Sequence, residues 1–162
     1  MLRYATPADF DAILALNAGS VHFLSALDAP RLARLHGFAA YHKVVQDEEK
    51  NVAAFLLAFR EGVDYDSPNY RWFAERYDAF IYIDRVVIAA DARGGGIGAT
   101  LYTDLFEFAR SEGMKIVACE FDLDPPNPAS QRFHERQGFR EVGTQQLHGG
   151  KKRVSLQVRE IS

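Results

Sequence analysis

The densest chemical signal in the chain is Arg93-Gly94-Gly95-Gly96-Ile97-Gly98, which gathers four of the twelve glycines directly ahead of an apolar helical stripe. The first N–H groups of a helix lack intrahelical partners, and the helix dipole adds positive character there. Such a turn is an anion site, and glycines let a large phosphate group approach the backbone closely. The bland alternative is a flexible connector that ends in a helix cap. A Walker loop would need Gly-Lys-Ser/Thr, but Gly98 is followed by Ala99-Thr100, so nucleotide hydrolysis is disfavoured. A dinucleotide fold fits loosely through Gly94-x-Gly96-x-x-Ala99, with Glu120 near the place of a ribose-binding acid. Against it, five residues (Ala89-Ala90-Asp91-Ala92-Arg93) separate the preceding strand from the glycines, and the unit does not open a parallel sheet.

The elements around this turn follow from pattern. Phe80 to Ile88 is apolar on both faces and reads as a central strand covered on both sides. Ile97, Leu101, Leu105 and Phe108 form a helical stripe that stops at Gly113. Lys115 to Asp122 is a second buried strand, and Asn127-Pro128 opens a helix that Gly138 stops. Upstream, Leu2 to Ala5 reads as a short strand. Thr6-Pro7-Ala8-Asp9 starts one helix, and Asp28 to Phe38 is another. Tyr41 to Val45 and Val52 to Phe59 form a hairpin, as do Arg140 to Leu147 and Arg153 to Val158 around His148-Gly149-Gly150. Residues 61–78 break the pattern, with a short helix between Tyr70 and Tyr77. The whole is α/β with a mixed sheet, expected as one domain over residues 1–162.

Composition narrows the classes. Of 162 residues, 48% are hydrophobic and 25% charged, which is ordinary for a globular chain. A net charge of -3 argues against a dedicated nucleic-acid or anionic-membrane binder. Lys151-Lys152-Arg153 reads as an exposed turn. There is no apolar run of ~18 residues and no export-signal pattern. One cysteine, Cys119, rules out an internal disulfide and a multi-thiolate zinc site. A cytoplasmic protein without a metal is the expectation.

These residues resemble the GNAT superfamily of N-acetyltransferases. The family's acetyl-CoA motif, Arg/Gln-x-x-Gly-x-Gly/Ala, matches Arg93 to Gly98. Asn127, Ser130, Phe133 and Gly138-Phe139 are similar to its second motif. The resemblance covers residues 80–142 as motif and nearly the whole chain as element order. It implies the acyl-CoA N-acyltransferase fold: a mixed, mostly antiparallel central sheet of about seven strands, four or so helices on both faces, and splayed central strands. It further implies acetyl-CoA as cosubstrate, with pantetheine along Val86, Val87 and Ile88. The diphosphate would rest on the turn of Arg93, Gly94, Gly95, Gly96, Ile97 and Gly98. An amine would then attack the thioester directly, leaving Cys119 as core. Two departures stand out. Gly95 occupies a slot that is often basic in the family. His134 stands where the family's usual tyrosine protonates the leaving thiolate, a task open to an imidazolium.

An amine must lose a proton before it attacks, and a carboxylate can accept it. Glu120, at the end of its strand, ranks first. Asp84, flanked by apolar residues, ranks second, with Arg85 expected on the opposite face. The acceptor, a small-molecule or peptide amine, would be lined by Phe23, Tyr65, Tyr70, Trp72 and Tyr82. Six acids against two arginines over residues 61–84 would favour a cationic amine. The competing readings are a non-catalytic acyl-CoA-binding or regulatory module and an NAD-binding oxidoreductase. The edges of the final hairpin leave a homodimer open.

Overall fold

The computed structural model describes residues 1–21 and 24–162. Phe23 lies outside the described residues. The strands are β1 (Leu2–Tyr4), β2 (Tyr41–Gln46), β3 (Val52–Arg60), β4 (Ile81–Ile88), β5 (Ile116–Asp124), β6 (Arg140–Leu147) and β7 (Lys152–Glu160). The helices are α1 (Phe10–Ala18), α2 (Ala29–Phe38), α3 (Pro68–Ala74), α4 (Ile97–Ser111) and α5 (Pro128–Arg136). The strands form one seven-stranded mixed sheet in the order β1-β2-β3-β4-β5-β7-β6. The ladders β1–β2, β2–β3, β5–β7 and β6–β7 are antiparallel, and β4–β5 is parallel. That parallel ladder holds two registered pairs, Ile81 with Val117 and Tyr82 with Ala118.

Internal contacts divide the chain into two compact units: Met1–Phe59 with Ile83–Leu105, and Arg60–Tyr82 with Phe106–Ser162. In the first unit, the core joins Ala5, Ile13, Leu32, Val44, Phe55 and Val87. Each of these side chains larger than alanine contributes about 1.5–3 kcal/mol by leaving water. Local caps set the helix starts. The Asp9 carboxylate accepts the Thr6 amide at 2.8 Å and both Arg3 terminal nitrogens at 2.8 Å. Asp28 caps α2 by accepting from the Arg31 amide at 2.8 Å.

In the second unit, Phe73, Phe80, Val117, Leu156 and Val158 are fully buried. Helix α3 begins two residues earlier than the aromatic pattern suggested. Ser67 caps it and Pro68 pre-sets its first turn. Helix α5 has the predicted start at Asn127, whose side chain accepts from the Ser130 amide at 3.3 Å. It stops at Gly138, whose φ of +87° suits glycine. Helix α4 buries Leu101 and Leu105 as predicted, but Ala109 rather than Phe108 completes the stripe.

Candidate active site

The glycine turn belongs to the first unit. After β4 the chain makes a short 3-10 turn at Ala90–Ala92, and α4 then begins at Ile97. Gly94 and Gly96 have φ of +85° and +81°, a region other L-residues enter only with strain. No atom lies within 4 Å of where a Cβ on either would sit, so the turn opens onto free space. The first α4 amide to reach back is Thr100, which donates to the Gly96 carbonyl at 3.0 Å. By helix geometry, the amides of Ile97, Gly98 and Ala99 precede any intrahelical acceptor. Arg93 is exposed and its Nε donates to the Ile88 carbonyl at 3.3 Å, fastening the turn to the strand end. Val86 and Ile88 are half-buried, while Val87 points into the core. The residues present therefore suit a diphosphate held by main-chain donors.

Four residues upstream of Ile88, Asp84 is not a free base. Arg85 was expected on the opposite face. Instead its long side chain folds back, and Nε donates to Asp84 Oδ2 at 2.7 Å, both side chains being almost wholly buried. The guanidinium also donates to Asn17 Oδ1, the Ser25 carbonyl and Ser25 Oγ, each at 3.0 Å. One buried cation thus ties the end of α1 and the approach to α2 onto β4. The Asp84 carboxylate is thus already engaged by a buried guanidinium.

In the second unit, the sheet brings Glu120 and Tyr82 together. Tyr82 is paired with Ala118, and Glu120 is two residues further along β5, on the same face. The Tyr82 hydroxyl donates a short hydrogen bond to Glu120 Oε1. The tyrosine ring is buried against Tyr70 and Phe73, so this donor is fixed in place. Glu120 remains half-buried, unlike Asp84. Sequence inspection singled out both residues but not their bond, because parallel register is not written locally.

His134 is 5% exposed, and its ring packs on Phe121, Phe133 and Phe139. Nδ1 lies 2.8 Å from the Ser130 carbonyl, which assigns its proton to that nitrogen. Burial pushes the imidazole below its ordinary pKa, only partly offset by that bond. At neutral pH the ring is uncharged, which works against the imidazolium acid expected from the sequence. Cys119 is buried in β5, and burial beside Glu120 pushes its thiol well up, in keeping with a core residue.

The expected acceptor residues diverge. Tyr65, Tyr70 and Tyr82 are buried in one aromatic cluster, and Tyr70 spends its hydroxyl on the Arg60 carbonyl at 2.6 Å. Burial raises its phenol above the usual range. Trp72 is half-buried, with the Arg76 guanidinium 3.9 Å from its ring centre. Its ring lies where a Cβ on Gly143 would sit 2.5 Å away, so that glycine is the seat for the indole. Among the described residues, no group of three or more His, Cys, Asp or Glu could hold a metal ion. No helix among them is long and apolar enough to cross a membrane.

Comparison with known proteins agrees with this architecture. The acetyltransferase (GNAT) family model matches residues 8–139. A phosphinothricin N-acetyltransferase of Streptomyces coelicolor is 41% identical over 66 residues, which are 41% of this chain and 37% of that protein. An N-acetyltransferase of Streptomyces griseus is 41% identical over 59 residues, 36% of this chain and 29% of that protein. The chain thus spans about a third of the length of the curated relatives it matches. Among solved structures, a phosphinothricin acetyltransferase of Sinorhizobium meliloti in complex with AcCoA superposes with a TM-score of 0.72 at 21% identity, covering 100% of this chain and 88% of that one.

Proposed function

Given that the chain belongs to the GNAT family of acetyltransferases, we propose that it transfers an acetyl group from acetyl-CoA to a primary amine of a small molecule or peptide. The observation that carries the reading is the open turn at Gly94–Gly96 leading from β4 into unpaired α4 amides. Those amides hold the diphosphate, and the main chain of Val86, Val87 and Ile88 pairs with pantetheine. The likeness of Asn127, Ser130 and Phe133 to the family's second motif supports the same reading.

Glu120 is the base. It takes a proton from the attacking ammonium, directly or through one water, and its bond from Tyr82 holds the carboxylate in one orientation. The amine nitrogen then forms its bond to the thioester carbon. The tetrahedral intermediate gives up its extra nitrogen proton to solvent and collapses by breaking the C–S bond, which yields a neutral amide and CoA thiolate. The thiolate takes its proton from solvent, because the neutral His134 ring has already committed its Nδ1 proton to Ser130. Trp72, half-buried beside Arg76, is the acceptor-side residue, and Tyr65, Tyr70 and Tyr82 stay in their own buried aromatic cluster.

The test is release of CoA thiol with a panel of acceptors: phosphinothricin, free amino acids, polyamines and short peptides with free N-termini. Wild type is compared with Glu120→Gln. Turnover with at least one amine, falling about 10²- to 10⁴-fold in the variant at unchanged KM for acetyl-CoA, supports the reading. Acetyl-CoA binding without turnover for every acceptor would make the chain an acyl-CoA-binding module instead.

A further inference from the structure

A separate cavity lies wholly within the second unit, where α5 ends and β6 begins. Arg136 and Arg140 there face Val158, Arg159 and Glu160 of β7 across a hollow of about 420 Å³. Pockets of this size accept small ligands. Its charge is opposite to that of the chain. Three guanidiniums meet one carboxylate, in a protein whose net charge is -3. Glu160 Oε1 accepts from Arg140 Nη2 at 2.9 Å and is neutralised by it, which leaves the charges of Arg136 and Arg159 in excess.

Arg159 is held in place. Its Nη1 donates to the Gln137 carbonyl at 2.8 Å, and its guanidinium carbon stands 4.0 Å over the Phe106 ring. Only one of its donors is committed by that bond. Gly138 adds no side chain in front of it: a Cβ there would sit 3.8 Å from the guanidinium. Arg136 has no hydrogen-bond or ion-pair partner among the described residues. No aromatic residue lines the hollow, and its apolar side chain is Val158.

We propose that this hollow binds a compact polyanion bearing phosphate or carboxylate groups, at a site separate from the glycine turn. Guanidinium forks match both groups bidentately, and a fixed Arg159 shares the hollow with an Arg136 whose donors are all uncommitted. The inference stands apart from the acetyl-transfer reading, because the three arginines that carry it, Arg136, Arg140 and Arg159, have no part in that machinery.

The probe is inorganic pyrophosphate, titrated calorimetrically into the full chain at 150 mM NaCl, with and without saturating CoA. Citrate serves as the carboxylate competitor. The expected result under saturating CoA, which occupies the glycine turn, is one pyrophosphate per chain, with its dissociation constant raised at least tenfold by Arg136→Glu. Arg136 is exposed, so that variant keeps its thermal midpoint; Arg136→Gln, which removes the charge without reversing it, gives an intermediate loss. Displacement by citrate widens the ligand class to carboxylates, and lack of displacement confines it to phosphates. No binding at this salt concentration, or binding that CoA abolishes and Arg136→Glu leaves unchanged, overturns the proposal.

Discussion

His42 makes the pH dependence of folding calculable. The residue lies in β2, 4% exposed, with Nδ1 2.8 Å from Nδ1 of His36 and its ring against Phe55. Its Nε2 is buried without a hydrogen-bond partner. Burial, reinforced by repulsion from His36 and only partly offset by Asp9, pushes its pKa down to about 4. In the unfolded chain the value is about 6.5. Between those values the unfolded state binds one more proton than the folded state. Stability is therefore fully present above pH 6.5 and falls as pH drops, by up to about 1.4 kcal/mol per pH unit. The loss levels off below the folded pKa, at about 3 kcal/mol in total. Other groups act in the same direction: His134 is also held low, and Asp9 loses its bond to Arg3 in stronger acid. The discriminating quantity is thus a difference in slope. Urea unfolding of wild type and His42→Asn from pH 4 to 8 should show the variant's dependence flatter by about 1 kcal/mol per unit between pH 4.5 and 6. Parallel curves, or an NMR titration of His42 near 6.5, would refute the argument.

Three further outcomes follow from particular contacts. Gly96→Val should cost about 1–3 kcal/mol in folding stability, because φ is +81° there. It should also weaken acetyl-CoA binding in a thermal-shift titration; unchanged affinity would detach the cosubstrate from this turn. Arg85→Met leaves the Asp84 carboxylate buried and alone, at a cost of about 3–5 kcal/mol by chemical denaturation. Asp84→Asn added to it should recover part of that loss, and a purely additive double variant would contradict the pairing. His134→Phe should keep kcat within about threefold, since the ring is neutral and packed among phenylalanines. A hundredfold loss of kcat with intact folding would restore it as the proton donor.

Much of the fold was legible because its signals are local. Asp28 ahead of Pro30, Asn127-Pro128 and Gly138 mark helix ends by backbone chemistry that acts over three or four residues. The two apolar faces of β4 placed it centrally for the same kind of reason. The glycine turn announced itself by composition alone. What stayed hidden depends on residues distant in the chain. The insertion of β7 between β5 and β6 is a pairing choice with no local mark. The Tyr82–Glu120 bond requires the parallel register. Arg85 was assigned to the far face by strand alternation, but alternation fixes only where a side chain leaves the backbone. A long guanidinium stem then bends towards the nearest buried carboxylate, since leaving that charge alone would cost more than the bend.

The indole seated on Gly143 has a practical corollary. It is the chain's lone tryptophan, so light excited at the red edge, beyond tyrosine absorption, comes from one fluorophore, pressed between a strand backbone and an arginine plane. Any acceptor that shoulders the ring aside, or any side chain installed opposite it, will change the colour and intensity of that light without a label being attached.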